Sequence, residues 1–189
     1  MTHFEYVFVA VSIVLSFTML RLLDALPGSF SREKRYWPHT VWVTTLLYIS
    51  ATFWWLNWSN RILESLSFRY FLFLLFAPGV LYLTATALVS ASPASVPSWR
   101  EHFFRNRMRF FLGAFTYIAA LAINSYVTFE VPLFDRLRLA QTTLMLLFGL
   151  GAILKTERAQ AVLAGICAVA TGWSLTQALL SGEMPLSFE

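Results

Sequence analysis

Charge is what this chain lacks most. Asp, Glu, Lys and Arg make up 13% of its 189 residues, against about a quarter in a soluble domain. A water-soluble fold of this length has too much surface for so few charges to cover. Cysteine is nearly missing: the single Cys167 excludes an intrachain disulfide and reads as a small core hydrophobe. Polar tracts, low-complexity stretches and any segment resembling a soluble domain are also missing. The enzyme signatures Gly-x-Ser-x-Gly and His-Glu-x-x-His are absent, as are a phosphate loop and a dinucleotide fingerprint. The apolar stretches hold no matched acid, base or nucleophile, so catalysis is not expected. The three histidines, His3, His39 and His102, fall near helix ends or in loops. They read as solvated or interfacial side chains, and neither a metal nor any other cofactor is expected.

What is present is apolar. Hydrophobic residues reach 58%, with 18 Phe, 7 Trp and 7 Tyr. Phe is favoured in hydrocarbon, and Trp and Tyr collect at the two membrane interfaces. The net charge of +4 would suggest nucleic acid in a soluble protein. Here the basic residues sit in short loops between apolar runs, the usual arrangement of a membrane protein. Membrane lipids are therefore the expected partners, and nucleic acid is not. The N-terminus lacks a positive stretch and a small-x-small cleavage site, so the first apolar run reads as a permanent helix.

A spanning helix needs about 20 mostly apolar residues. Six segments qualify, over 4–26, 38–60, 69–90, 108–130, 137–155 and 159–180. Backbone polar groups in lipid must be satisfied within the protein, so only helices and closed barrels span. Phe71-Leu72-Phe73-Leu74-Leu75-Phe76 does not alternate as a barrel strand would. The expected fold is all-α: a polytopic membrane bundle of six transmembrane helices forming one domain. The fifth and sixth are expected to form a tight hairpin. Ser98 followed by Glu101 is a capping box, and it places an amphipathic extension over 99–107 ahead of the fourth span. Its aromatics Trp99, Phe103 and Phe104 and its bases Arg100, Arg105 and Arg107 suggest a segment lying in the interface or protruding from it.

The loops after helices one, three and five, with the helix ends beside them, carry Arg21, Arg32, Lys34, Arg35, Arg100, Arg105, Arg107, Arg109, Lys155 and Arg158. The opposite side carries Arg61, Arg69, Arg136 and Arg138. Basic residues favour the cytoplasm, so both termini are expected on the non-cytoplasmic side, in a membrane suited to a bacterial inner (cytoplasmic) membrane.

Several side chains stand out as candidates. Uncharged polar residues gather in the outer half: Asn57, Asn124, Ser125, Thr128, Gln141, Thr142 and Gln177. They are either ligand- or pore-lining groups of an outward vestibule, or glue between helices. Arg21 and Asp24 are spaced to pair one turn from the inner end of helix one. Pro78 interrupts helix three and suggests a hinge. Ala161, Gly165, Ala168 and Gly172 form a small-residue stripe on helix six, a face for helix packing or self-association. Trp42, Trp54, Trp55 and Trp58 read as interfacial belts on helix two. The leading functional expectation is a channel or transporter subunit with an outward-facing polar vestibule and a dry mid-membrane region. The alternative is a non-catalytic accessory or scaffold component, bound to a membrane partner or to its own copies.

Overall fold

The computed structural model describes residues 3–31, 34–58, 67–132 and 134–181. The loop cations Arg32 and Arg61 and the Trp58 side chain lie outside the described residues. Six α-helices follow one another: α1 (His3–Phe30), α2 (Trp37–Trp58), α3 (Phe68–Leu88), α4 (Trp99–Phe129), α5 (Arg136–Ile153) and α6 (Glu157–Ser181). No strand occurs among the described residues. Four segments are long and apolar enough to cross a membrane: Glu5–Phe30, Phe68–Ser95, Trp99–Thr128 and Glu157–Gln177. The other two helices fall short of that measure for visible reasons. α2 is rich in Trp and Thr and carries His39 and Asn57, and α5 opens on Arg136, Arg138 and Gln141.

Local chemistry sets the ends. Ser67 accepts from the Tyr70 N–H, Ser98 from the Glu101 N–H and Asp135 from the Leu137 N–H, each satisfying a donor that a helix start leaves free. α4 ends on Glu130, which adopts φ 53°, ψ 28°. That left-handed conformation is unusual for a residue other than glycine. One boundary differs from expectation, and the start near Trp99 is met. α1 continues through Pro27 to Phe30, where its buried Ser29 bonds back to Ala25 O at 2.9 Å. α4 is one unbroken helix of 31 residues, about 46 Å long at 1.5 Å per residue.

The loops after α1, α3 and α5 meet at one end of the bundle, called the inner end below. There Lys34 Nζ reaches Ala94 O at 3.0 Å, the Trp99 N–H reaches Lys34 O at 3.3 Å, and Arg100 pairs with Glu157 at 3.0 Å. α4 packs mainly on α3 and α5, α1 on α2 and α3, and α6 on α2. The expected tight α5–α6 hairpin does not form along its length. The two helices touch little, and α6 turns to α2 instead, where Tyr48 and Ser174 hydroxyls meet at 2.8 Å.

α2 is the central helix, bordered by α1, α3, α4 and α6. Its buried positions His39, Trp42, Leu46, Ser50, Phe53 and Asn57 recur every three or four residues, so they form one face. Aromatic contacts fill the space along it. His39 stacks on Trp99 at 4.4 Å; Trp42 meets Phe110 and Phe111 at 5.4 and 5.3 Å; Phe53 meets Phe73 and Tyr117 at 6.2 and 6.3 Å. Trp42 is thus a core residue, not part of the expected interfacial belt. Trp54 and Trp55 are exposed.

Two glycines permit the closest approaches. A Cβ on Gly113 of α4 would collide with the Thr84 side chain and come within 3.4 Å of its Cα. A Cβ on Gly151 of α5 would collide with the fully buried Phe111 ring.

Candidate functional site

Of the outer polar residues, Asn57, Ser125 and Gln141 are engaged across helix seams. At the α2–α3 seam, Asn57 donates to Phe53 O at 2.8 Å and accepts from the Tyr70 hydroxyl at 2.9 Å. At the α4–α5 seam, Ser125 lies 3.0 Å from Ala122 O and 3.4 Å from Gln141 Oε1. Arg138 donates to Ala122 O at 2.6 Å and to Gln141 Oε1 at 3.3 Å. Thr128 donates to Asn124 Oδ1 at 3.0 Å, one turn back on the same helix. Thr142 is exposed and bonds Arg138 O at 2.9 Å, while Gln177 is half-buried and has a partner of its own. Asn57, Ser125 and Gln141 are buried, and buried amides need such partners.

The remaining candidates fall as follows. Arg21 does not pair with Asp24. Its guanidinium turns to Val89 O at 3.4 Å, just past the end of α3, and Asp24 is exposed. The carbonyl end of a helix carries partial negative charge, which favours that cation. Pro78 is buried within an uninterrupted α3. On α6, Leu163, Ala164 and Cys167 are buried, Ala161 and Gly165 are half-buried, and Ala168 and Gly172 are exposed. A Cβ on Gly165 or Gly172 would meet nothing within 4 Å among the described residues.

The densest buried polar chemistry lies instead at the inner end, on His39 and Arg107, which were expected in water or at the interface, and on Gln160. His39 is fully buried, not solvated. Its Nε2–H donates to Leu88 O at 3.1 Å, and Nδ1 lies 3.4 Å from the Ser29 hydroxyl. A carbonyl only accepts, so the proton on Nε2 is fixed by Leu88. Arg107, 7% exposed, donates to Ala152 O at 3.3 Å. Gln160, fully buried, donates to Gly151 O at 2.9 Å and to Leu154 O at 2.7 Å. His39 and Arg21 thus cover the last carbonyls of α3, and Arg107 and Gln160 those of α5. The reason is local. α3 and α5 end on Val89 and Leu154 without the glycine that lets a helix cap itself, so donors must come from other helices. That missing glycine was the signal in the sequence.

The chain matches no protein family, no curated protein and no solved structure.

The extension 99–107 belongs to the same inner construction and is not a free interfacial segment. Trp99 and Phe103 are buried, and Tyr36 packs on Phe103 and Phe104 at 5.8 and 6.0 Å. Burial, with the Glu157 carboxylate nearby, pushes the Tyr36 hydroxyl up to about 12, so it stays protonated and neutral. His102 faces Asn106, at 3.4 Å from its amide nitrogen. Among the described residues no three His, Cys, Asp or Glu side chains gather as a metal site would need. These groups tie loops and helix ends together.

Proposed function

We propose that the chain is a six-span integral membrane protein acting as a non-catalytic component of a membrane complex. Both termini lie on the non-cytoplasmic side, and a bacterial inner membrane fits its loop charges. The observation that carries this reading is the aromatic filling along α2, from His39–Trp99 through Trp42–Phe110–Phe111 to Phe53–Tyr117. Aromatic and aliphatic side chains occupy most of this face, and its polar residues Ser50 and Asn57 donate within α2, to Leu46 O and Phe53 O. The six-span reading draws support from α2, bordered by α1, α3, α4 and α6, and from the buried polar side chains His39, Ser50 and Asn57 of α2 and Gln141 of α5, which face helices. The open side of the α6 stripe offers a surface for a second copy or a membrane partner.

A second reading, a channel or transporter subunit with an outer vestibule near Asn124, Ser125 and Gln141, draws on one feature. Nε and Nη2 of Arg138 are buried without a hydrogen-bond partner, the guanidinium lying 5.9 Å from the Tyr126 ring centre, and an incoming anion would satisfy them.

One preparation tests both. Purified protein in liposomes is expected to pass neither small anions nor cations. In mild detergent its mass is expected to exceed one chain plus micelle, and Gly165→Leu is expected to reduce it. An anion flux that Gln141→Leu abolishes would instead establish the transport reading.

A further inference from the structure

A groove of about 430 Å³ opens at the inner end between the start of α4 and the α5–α6 turn, lined by Arg100, Glu101, Phe104, Arg105, Lys155 and Glu157. Its charges are not equivalent. Arg100 is held bidentate by a single Glu157 oxygen, through Nε at 3.1 Å and Nη2 at 3.0 Å, and its guanidinium also lies 5.6 Å from the Phe104 ring centre. That pair is neutral. Arg105 and Lys155 are exposed and have no hydrogen bond or ion pair among the described residues, and Glu101 is the remaining carboxylate. The groove therefore offers two free cations against one free anion.

Its surroundings are apolar on one side. Met108 and Leu112 follow Arg105 at three and seven residues, on the same face of α4 as the exposed Arg109, and both are exposed. Leu146, Leu150 and Ile153 form the matching exposed stripe on α5 leading up to Lys155. Two hydrocarbon-facing stripes thus converge on a pair of free cations at the edge of the apolar zone. A soluble phosphate would use only the cations. A phospholipid uses both parts, its headgroup phosphate in the groove and its acyl chains along α4 and α5.

We propose that this groove is a binding site for the phosphodiester headgroup of an anionic phospholipid, held by Arg105 and Lys155 and opposed by Glu101. The site rests on the membrane-spanning reading and is independent of whether the chain conducts. Retention in carbonate-washed membranes reports the spanning separately, so failure of one is distinguishable from failure of the other.

The test uses full-length detergent-solubilised protein titrated with phosphatidylglycerol or phosphatidylcholine and read by native mass spectrometry. Phosphatidylglycerol is expected to bind preferentially. Each basic side chain near a headgroup is worth roughly a fivefold change, so Arg105→Gln with Lys155→Gln should weaken binding by about 25-fold. Glu101→Gln should tighten it, and Arg136→Gln, at the opposite end, should leave it unchanged. All four side chains are exposed, so each variant is expected to keep its elution profile. Equal binding of the two lipids would overturn the proposal. So would a loss with Arg136→Gln equal to that of the double variant, or glycerol 3-phosphate competing at concentrations matching the lipid, which would make the ligand a soluble phosphate.

Discussion

Gly113→Ala is expected to lower the thermal midpoint of the purified protein by on the order of 5–10 °C, and Gly113→Leu to prevent a monodisperse fold. The added Cβ meets Thr84, whose own hydroxyl is held to Val80 O at 2.7 Å, and the Thr84 backbone stands directly behind. The far end of a flexible side chain would yield, but this neighbour cannot without moving α3. Overpacking of that kind costs about 1–3 kcal/mol, and each kcal/mol shifts a protein of this size by about 2–4 °C. Gly149→Ala gives the opposite sign. A Cβ there meets nothing within 4 Å, and alanine is better than glycine in a helix by about 1 kcal/mol. A thermal-shift series in one detergent checks both. Equal shifts at the two positions would mean that α3 and α4 are not packed as closely as described.

Trp99→Ala is expected to cost more. The side chain is fully buried, stacked on His39 and edge-on to His102 at 5.7 Å. Emptying such a site costs about 3–5 kcal/mol, a shift on the order of 10–15 °C. Trp99→Phe should recover much of it by keeping an aromatic ring against His39. The size of the effect discriminates between two pictures of this segment. A helix lying free in the interface would lose membrane affinity on Trp99→Ala with little change in thermal midpoint. A segment built into the bundle loses stability, which the midpoint of the detergent-solubilised protein reads directly.

The number of helices, their order and most of their ends were legible in the sequence, because each rests on a local rule. Apolar runs have to be long enough to cross lipid, and Ser98 marks a start through its own side chain. Which face each helix turns inward was not legible. In water an apolar stripe marks the core, but in lipid the outside is apolar too, and helices that are hydrophobic all round carry no such stripe. Trp42 and Trp55 look alike in sequence; one is buried among phenylalanines and the other is half exposed. His39 and Arg107 were expected to reach water or the interface, and Gln160 did not stand out, because polar residues near helix ends are ordinarily solvated; all three are buried. Their role depends on carbonyls at the ends of α3 and α5, far along the chain. The outer polar group was legible as a set, and its engagement at two seams required the pairing of α2 with α3 and of α4 with α5.

The spanning of the bundle, with the loops after α1, α3 and α5 on one side, is tested most directly by labelling from each side of sealed vesicles. Single cysteines are introduced as Arg105→Cys, Lys155→Cys and Phe134→Cys, all at exposed positions, while the native Cys167 is buried and should not react with a membrane-impermeant thiol reagent. Arg105→Cys and Lys155→Cys are expected to label only from the cytoplasmic face, and Phe134→Cys only from the opposite face. Labelling of Arg105→Cys and Phe134→Cys from the same face would contradict a chain that crosses the membrane in α4.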